Sequence, residues 1–156
     1  MQIGIIGDTH GSRESMAEIN DVFPPVEFYI HTGDHWQDAV YFEKKWGVPV
    51  LTVKGNCDFE EYPSELLFTA GGKKFFVTHG HQYGVKFSLH RLFYRALEEG
   101  ADYCIYGHTH ILRHEEMEGI WFLNPGSPIC PRGLKKCCGI LLQENQGRWQ
   151  WELRGG

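Results

Sequence analysis

Five short apolar runs in this chain each end in a polar box built from glycine, aspartate, asparagine or histidine. The boxes are Asp8-Thr9-His10-Gly11, His31-Thr32-Gly33-Asp34, Gly55-Asn56-Cys57-Asp58, His79-Gly80-His81 and Gly107-His108-Thr109-His110. The runs before them are rich in β formers and read as buried strands. One such loop is unremarkable, because histidines in loops are usually satisfied by ordinary hydrogen bonds. Five at consecutive strand ends constrain the fold, because a regular topology can gather them at one edge.

The first half of the chain has the rhythm of such a topology. Residues 1–7 form an apolar first strand, buried on both faces. Ser12 offers an N-cap to a helix over about 14–21. Pro24-Pro25 breaks the chain before a second strand at 27–30. A helix over 38–46 leads to a third strand at 48–53. Alternating strands and helices predict a parallel sheet with right-handed crossovers. Ligands in such sheets bind beyond the carboxyl ends of the strands.

The second half changes character. Residues 65–70 and 73–78 flank Gly71-Gly72, a hairpin signal. The spacing of Phe87, Leu89, Leu92, Phe93, Ala96 and Leu97 predicts an amphipathic helix over 87–98, stopped by Gly100. A strand at 103–106 precedes the last box. Antiparallel strands follow at about 111–116, 120–123, 138–143 and 148–153. Asn124-Pro125-Gly126-Ser127-Pro128 is a sharp turn, for which turn geometry is explanation enough.

Length and charge narrow the function. A chain of 156 residues is expected to be one domain, 1–156. The net charge of −5 leaves no broad footprint for nucleic acid. No apolar run approaches the roughly 20 residues of a membrane span, and no signal-peptide pattern opens the chain. The five cysteines are odd in number and fit no zinc-ribbon or thioredoxin spacing, which suits a reducing, cytoplasmic compartment. The aromatic content is compatible with a homo-oligomer.

Asp8, His10, Asp34, Asn56, His79, His108 and His110 together offer two carboxylates, one amide oxygen and four imidazoles. Such a set suits manganese, iron, zinc or nickel better than calcium or magnesium. It is too large for one tetrahedral ion and about right for two ions sharing a carboxylate. In an extended backbone His108 and His110 would face the same side.

In this order and spacing, Asp-x-His, Gly-Asp, Gly-Asn, His-Gly-His and Gly-His-Thr-His resemble the calcineurin-like metallophosphoesterases. The short phosphodiesterases with a Gly-Asn-Cys-Asp box are the closest resemblance, over residues 1 to about 127. The resemblance implies an α/β fold, a four-layer mixed β-sandwich of two sheets flanked by helices. It implies that Asp8, His10 and His110 hold one metal, that Asn56, His79 and His108 hold another, and that Asp34 bridges them. Two divalent ions, manganese first among the candidates, would then activate a water or hydroxide against a small phosphate ester. A scaffold of the same fold with weak or no catalysis is the alternative, and a nuclease a further one.

Cys57 departs from the family, which mostly has a histidine there as general acid. A thiol protonates a leaving alkoxide poorly, and this points to aryl or cyclic phosphodiesters as substrates. Asp58 is a candidate substitute acid, although anchoring its own loop is the simpler role. His81 and His35 are candidate substrate contacts. His31, His90 and His114 read as surface or half-buried residues. Trp36, Tyr83, Phe87 and Tyr94 could wall a base or aryl group, though Phe87 and Tyr94 at helix spacing read as core.

Overall fold

The computed structural model describes residues 1–11, 13–16, 19–127 and 139–155. The first half contains β1 (Gln2–Ile6), α1 (Arg13–Met16), β2 (Phe28–His31), α2 (Gln37–Trp46), β3 (Val50–Thr52), β4 (Glu65–Ala70) and β5 (Lys73–Thr78). The second contains α3 (His90–Glu98), β6 (Tyr103–Ile105), β7 (Leu112–Met117), β8 (Ile120–Pro125), β9 (Gly139–Asn145) and β10 (Arg148–Arg154).

The strands form two five-stranded sheets, ordered β10-β9-β1-β2-β3 and β4-β5-β6-β8-β7. Both are mixed. β1, β2 and β3 run parallel, while β9 pairs antiparallel with β1. The alternation of side chains along each strand builds the layers. Ile3 and Ile5 join Phe75, Val77 and Ile105 in the core between the sheets. Ile6 and Tyr29 face the other way, against Phe42 of α2. Phe76 and Cys104 likewise turn outward onto Leu92 and Ala96 of α3. The result is a helix, sheet, sheet, helix sandwich, as the family resemblance implied. No helix among the described residues is long and apolar enough to cross a membrane.

Several local expectations change in tertiary context. The helix expected over 14–21 is instead the single turn α1 and a separate 3₁₀ turn at Ile19–Val22. The Tyr29 hydroxyl donates to Asn20 Oδ1 at 2.6 Å and ties that second turn to β2. Ser12 and Pro128 lie outside the described residues. The helix expected from residue 87 starts at His90, because turn hydrogen bonds from Phe87 and Ser88 to the Gly84 carbonyl come first. Phe87 and Tyr94 are not core, being 95 % and 67 % exposed. β8 is antiparallel to β7 but parallel to β6, because two reversals of the chain restore its direction. His31 is fully buried at the end of β2, not on the surface; His90 and His114 are exposed.

Candidate metal centre

The loops that follow β1, β2, β3, β5 and β6 meet at one edge of the sandwich. Asp8 and Asp34 are 1 % and 2 % exposed there. Asp8 Oδ2 lies 2.9 Å from His110 Nε2, and that nitrogen lies 3.1 Å from His10 Nε2. His10 Nε2 is 3.8 Å from Asp34 Oδ2, and the same oxygen is 3.4 Å from His79 Nε2. His79 Nε2 is in turn 3.0 Å from Asn56 Oδ1. The His108 ring stands 5.1 Å from that of His79, centroid to centroid. The seven donors read from the sequence are thus neighbours at one edge, with an Asp34 oxygen between His10 and His79.

His108 and His110 diverge, and not by the extended geometry expected of them. Their φ angles are 71° and 59°, in the left-handed region. His10, Asp34 and His35 share it, at 49°, 58° and 74°. This backbone costs an L-residue roughly 1–2 kcal/mol, and it persists where surrounding bonds over-determine it. The turn sends His108 toward His79 and His110 toward Asp8 and His10.

The glycines of two boxes are required by crowding. A Cβ on Gly55 would lie 2.1 Å from Asp34 Oδ1, and one on Gly107 would lie 2.5 Å from Thr32 Oγ1 and 2.7 Å from Asp8 Oδ1. Both loops press their backbone against a buried carboxylate.

Hydrogen bonds around the donors orient them. The Thr32 hydroxyl donates to Asp8 Oδ1 at 3.1 Å, leaving Oδ2 toward His110. A carbonyl can only accept, so His79 Nδ1–H donates to Thr32 O at 2.8 Å and Nε2 faces Asp34. The Cys57 N–H donates to Asp34 Oδ1 at 2.9 Å.

Sequence reasoning missed the braces behind these loops. Asp38, 0 % exposed, accepts from the Thr9 hydroxyl at 2.6 Å, Gly11 N–H at 2.9 Å and Arg13 Nε at 3.0 Å. Because Thr9 donates to Asp38, it accepts from His31 Nε2 at 2.9 Å, and His31 Nδ1 accepts from the Thr52 hydroxyl at 2.7 Å. The relay fixes one neutral tautomer of His31, whose pKa burial pushes down to about 4. Across the site, Asn124 Nδ2 donates to the Gly107 carbonyl and to Thr109 Oγ1, and the Ser127 hydroxyl donates to the Asp8 carbonyl. The sequence signals for Asn124 and Ser127 were their place in a distinctive turn and the resemblance of Asn124-Pro125-Gly126-Ser127 to a box of the same subfamily, while Asp38 had none.

Electrostatics agree with a cation site. Burial works to raise the Asp34 carboxyl, yet His79 and the Cys57 N–H hold it well below the usual carboxylate range. Burial opposes a charged His79, but Asp34 and Asp8 raise its pKa. His108 is lowered to about 4 by burial, then by the charges of His79 and Lys86. Among the described residues, the ion pairs of Asp8 and Asp34 are all with histidines. Two buried carboxylates without a lysine or arginine partner need positive charge from elsewhere, and mixed carboxylate and imidazole donors suit a divalent cation.

The other candidates are placed as follows. Cys57 is exposed, with Sγ within 4.8 Å of donor atoms of His10 and Asp34. Burial, then the charge of Asp34, raises its thiol pKa. Asp58 accepts backbone N–H groups from His35 at 2.7 Å, Gly55 at 2.8 Å and Trp36 at 3.2 Å, the work of a loop anchor. The His35 ring is held by Asp38, at 2.9 Å. His81 stands 5.4 Å from His79 and 6.1 Å from His108, ring to ring. Trp36 stacks on Tyr62, and Tyr83 donates to Glu65.

Fold and site together define a metal-dependent hydrolase class, and comparison with known proteins agrees. The calcineurin-like phosphoesterase superfamily domain matches residues 1–147. The probable metallophosphoesterase YsnB of Bacillus subtilis (strain 168) is 41 % identical over 148 residues, 93 % of this chain and 86 % of YsnB. A crystal structure from Streptococcus pneumoniae TIGR4, described as a predicted phosphoesterase, aligns with a TM-score of 0.81 and 31 % identity, over 97 % of this chain and 87 % of that one. A single mutant of Vps29 from Entamoeba histolytica aligns at 0.77 and 22 % identity over 98 % of each chain, a likeness of fold alone. The chain belongs to the calcineurin-like phosphoesterases and is a phosphoric ester hydrolase that uses divalent metal.

Proposed function

We propose that the chain hydrolyses small phosphodiesters at a centre of two divalent cations, within one domain spanning residues 1–156. One observation carries the reading. A single oxygen of buried Asp34 lies between two imidazole groups, 3.8 Å from His10 and 3.4 Å from His79. On this reading Asp34 bridges the ions. Asp8, His10 and His110 hold one, and Asn56, His79 and His108 hold the other. Manganese is the proposed metal, with iron, zinc and nickel as alternatives.

Ions held there supply the positive charge that neutralises and orients a phosphate ester and lowers the pKa of the attacking water. The chain sets up the rest. Thr32 locks Asp8 on one side and His79 on the other. Asn56 donates as a neutral ligand, so two dications outweigh two carboxylates and the site attracts an anion. Cys57 stands at the acid position as a thiol, a poorer proton donor to an alkoxide than imidazolium. Esters whose leaving group needs little protonation, aryl or cyclic diesters, are therefore favoured. His81 is proposed to reach the substrate from beside His108. His35 and Asp58 serve as loop anchors. Exposed Cys57 and buried Cys104 are both unpaired, in keeping with a reducing cytoplasm.

The test is hydrolysis of bis(4-nitrophenyl) phosphate with and without manganese. Activity should depend on the metal and fall about a hundredfold or more in Asp34→Asn. Metal-independent turnover, or an unaffected variant, would refute the reading. No hydrolysis with any of the four metals would favour the scaffold instead.

A further inference from the structure

A diester has two arms, and two unlike clefts flank the centre. The first, of about 490 Å³, lies on the Asn56 side and is polar with both signs of charge, including Lys54, Glu61, Ser64 and His81. The second, of about 340 Å³, is lined by Val85, Lys86, Thr109, Ile111 and Arg113. Thr109 belongs to the loop that carries His108 and His110, so this cleft borders that loop.

The second cleft combines an apolar wall with hydrogen-bond donors. Val85 and Ile111 supply the wall. Lys86 is exposed and has no ion pair among the described residues. Arg113 meets Glu115 through Nε alone, at 3.5 Å, which leaves the two terminal nitrogens of its guanidinium. Thr109 Oγ1 already accepts from Asn124 Nδ2 at 2.9 Å and Ile111 N at 3.2 Å, so its own proton is left to donate. No carboxylate is among the described residues that line the cleft, although the chain carries a net charge of −5. Two cations and a hydroxyl donor sharing a cleft with two apolar side chains offer a complementary lining for an anion on a carbon arm.

We infer that this cleft receives a substrate arm that is apolar along its length and anionic at its end. The preferred diester then carries a second negative group besides the scissile phosphate, and Lys86 and Arg113 select for it. This rests on the hydrolase reading above. Neither residue is among the proposed metal donors.

The experiment compares kcat/KM for 4-nitrophenyl 4-carboxyphenyl phosphate with that for bis(4-nitrophenyl) phosphate, with manganese. The charged-arm ester should be preferred. The ratio of the two values should fall about tenfold in Lys86→Gln and in Arg113→Gln, mainly through KM, and Lys86→Arg should restore it. An unchanged ratio overturns the inference. So does an equal loss on both esters, which would put these cations on the scissile phosphate. If the wild-type protein cleaves neither ester, the hydrolase reading fails and the subsite falls with it. Turnover of both without preference removes the subsite alone.

Discussion

Cys57 and His31 show how one residue can set chemistry or stability through its surroundings. The Cys57 thiol faces the centre from an exposed loop, with Sγ within 4.8 Å of donor atoms of His10 and Asp34. Imidazolium at that position would protonate a leaving alkoxide far better. Cys57→His should therefore raise turnover of alkyl phosphomonoesters about tenfold or more, and equal rates for both proteins would contradict this. His31 is fully buried, with its pKa pushed down to about 4 from an ordinary 6.5. Between those values the unfolded chain binds a proton that the native state refuses. Stability therefore falls as pH drops from about 6.5 toward 4, by on the order of 3 kcal/mol for this group. Urea unfolding at pH 7.5 and pH 5, with a chelator present, measures it. His31→Asn should be less stable than wild type at pH 7.5 but lose less on acidification. Parallel losses would assign the pH dependence to other groups.

At the scale of elements, the end of β8 matters as much as the strands that carry the donors. Asn124 is fully buried, and its side chain ties the Gly107 carbonyl, Thr109 Oγ1 and the Gly126 N–H together. That network holds the left-handed turn which separates His108 from His110. Asn124→Ala leaves those partners unsatisfied, at a cost of about 1–3 kcal/mol. It should also weaken manganese binding roughly 10–100-fold, as loss of a ligand's support does. Calorimetric titration with manganese checks this, and unchanged affinity would show that the loop holds itself. Gly55 and Gly107 act at the same scale, by letting two loops close onto Asp34 and Asp8.

For the whole molecule, the sandwich is held by the core that both sheets share. Phe75 is fully buried between the sheets, packed against Phe68 and Tyr103 of its own sheet, each 5.1 Å away between ring centroids, and against Trp149 of the facing sheet at 5.8 Å. Phe75→Ala should cost about 3–5 kcal/mol in urea unfolding. A cost below about 1 kcal/mol would mean that the two sheets do not depend on this contact. The same core aligns the carboxyl ends of β1, β2 and β3 with those of β5 and β6, so the site's geometry and the protein's stability share a foundation.

Much of this was legible in the chain itself. Strand ends, the Gly71-Gly72 hairpin and the donor types depend on two-residue alternation and on glycine at a turn, which are local properties. The hairpin glycines do take positive φ, at 55° and 77°. Local patterns could not show which way a side chain turns once loops from distant parts of the chain meet. His10 and His110 touch across 100 residues, and Ser127 reaches Asp8 across 119. The divergence of His108 from His110, the burial of His31 and the bracing by Asp38 and Asn124 were all settled by contacts between separate parts of the chain. The sequence determined which atoms could bind a cation. The tertiary structure decided how they are turned toward one another, because left-handed backbone and buried carboxylates persist only where distant partners satisfy them.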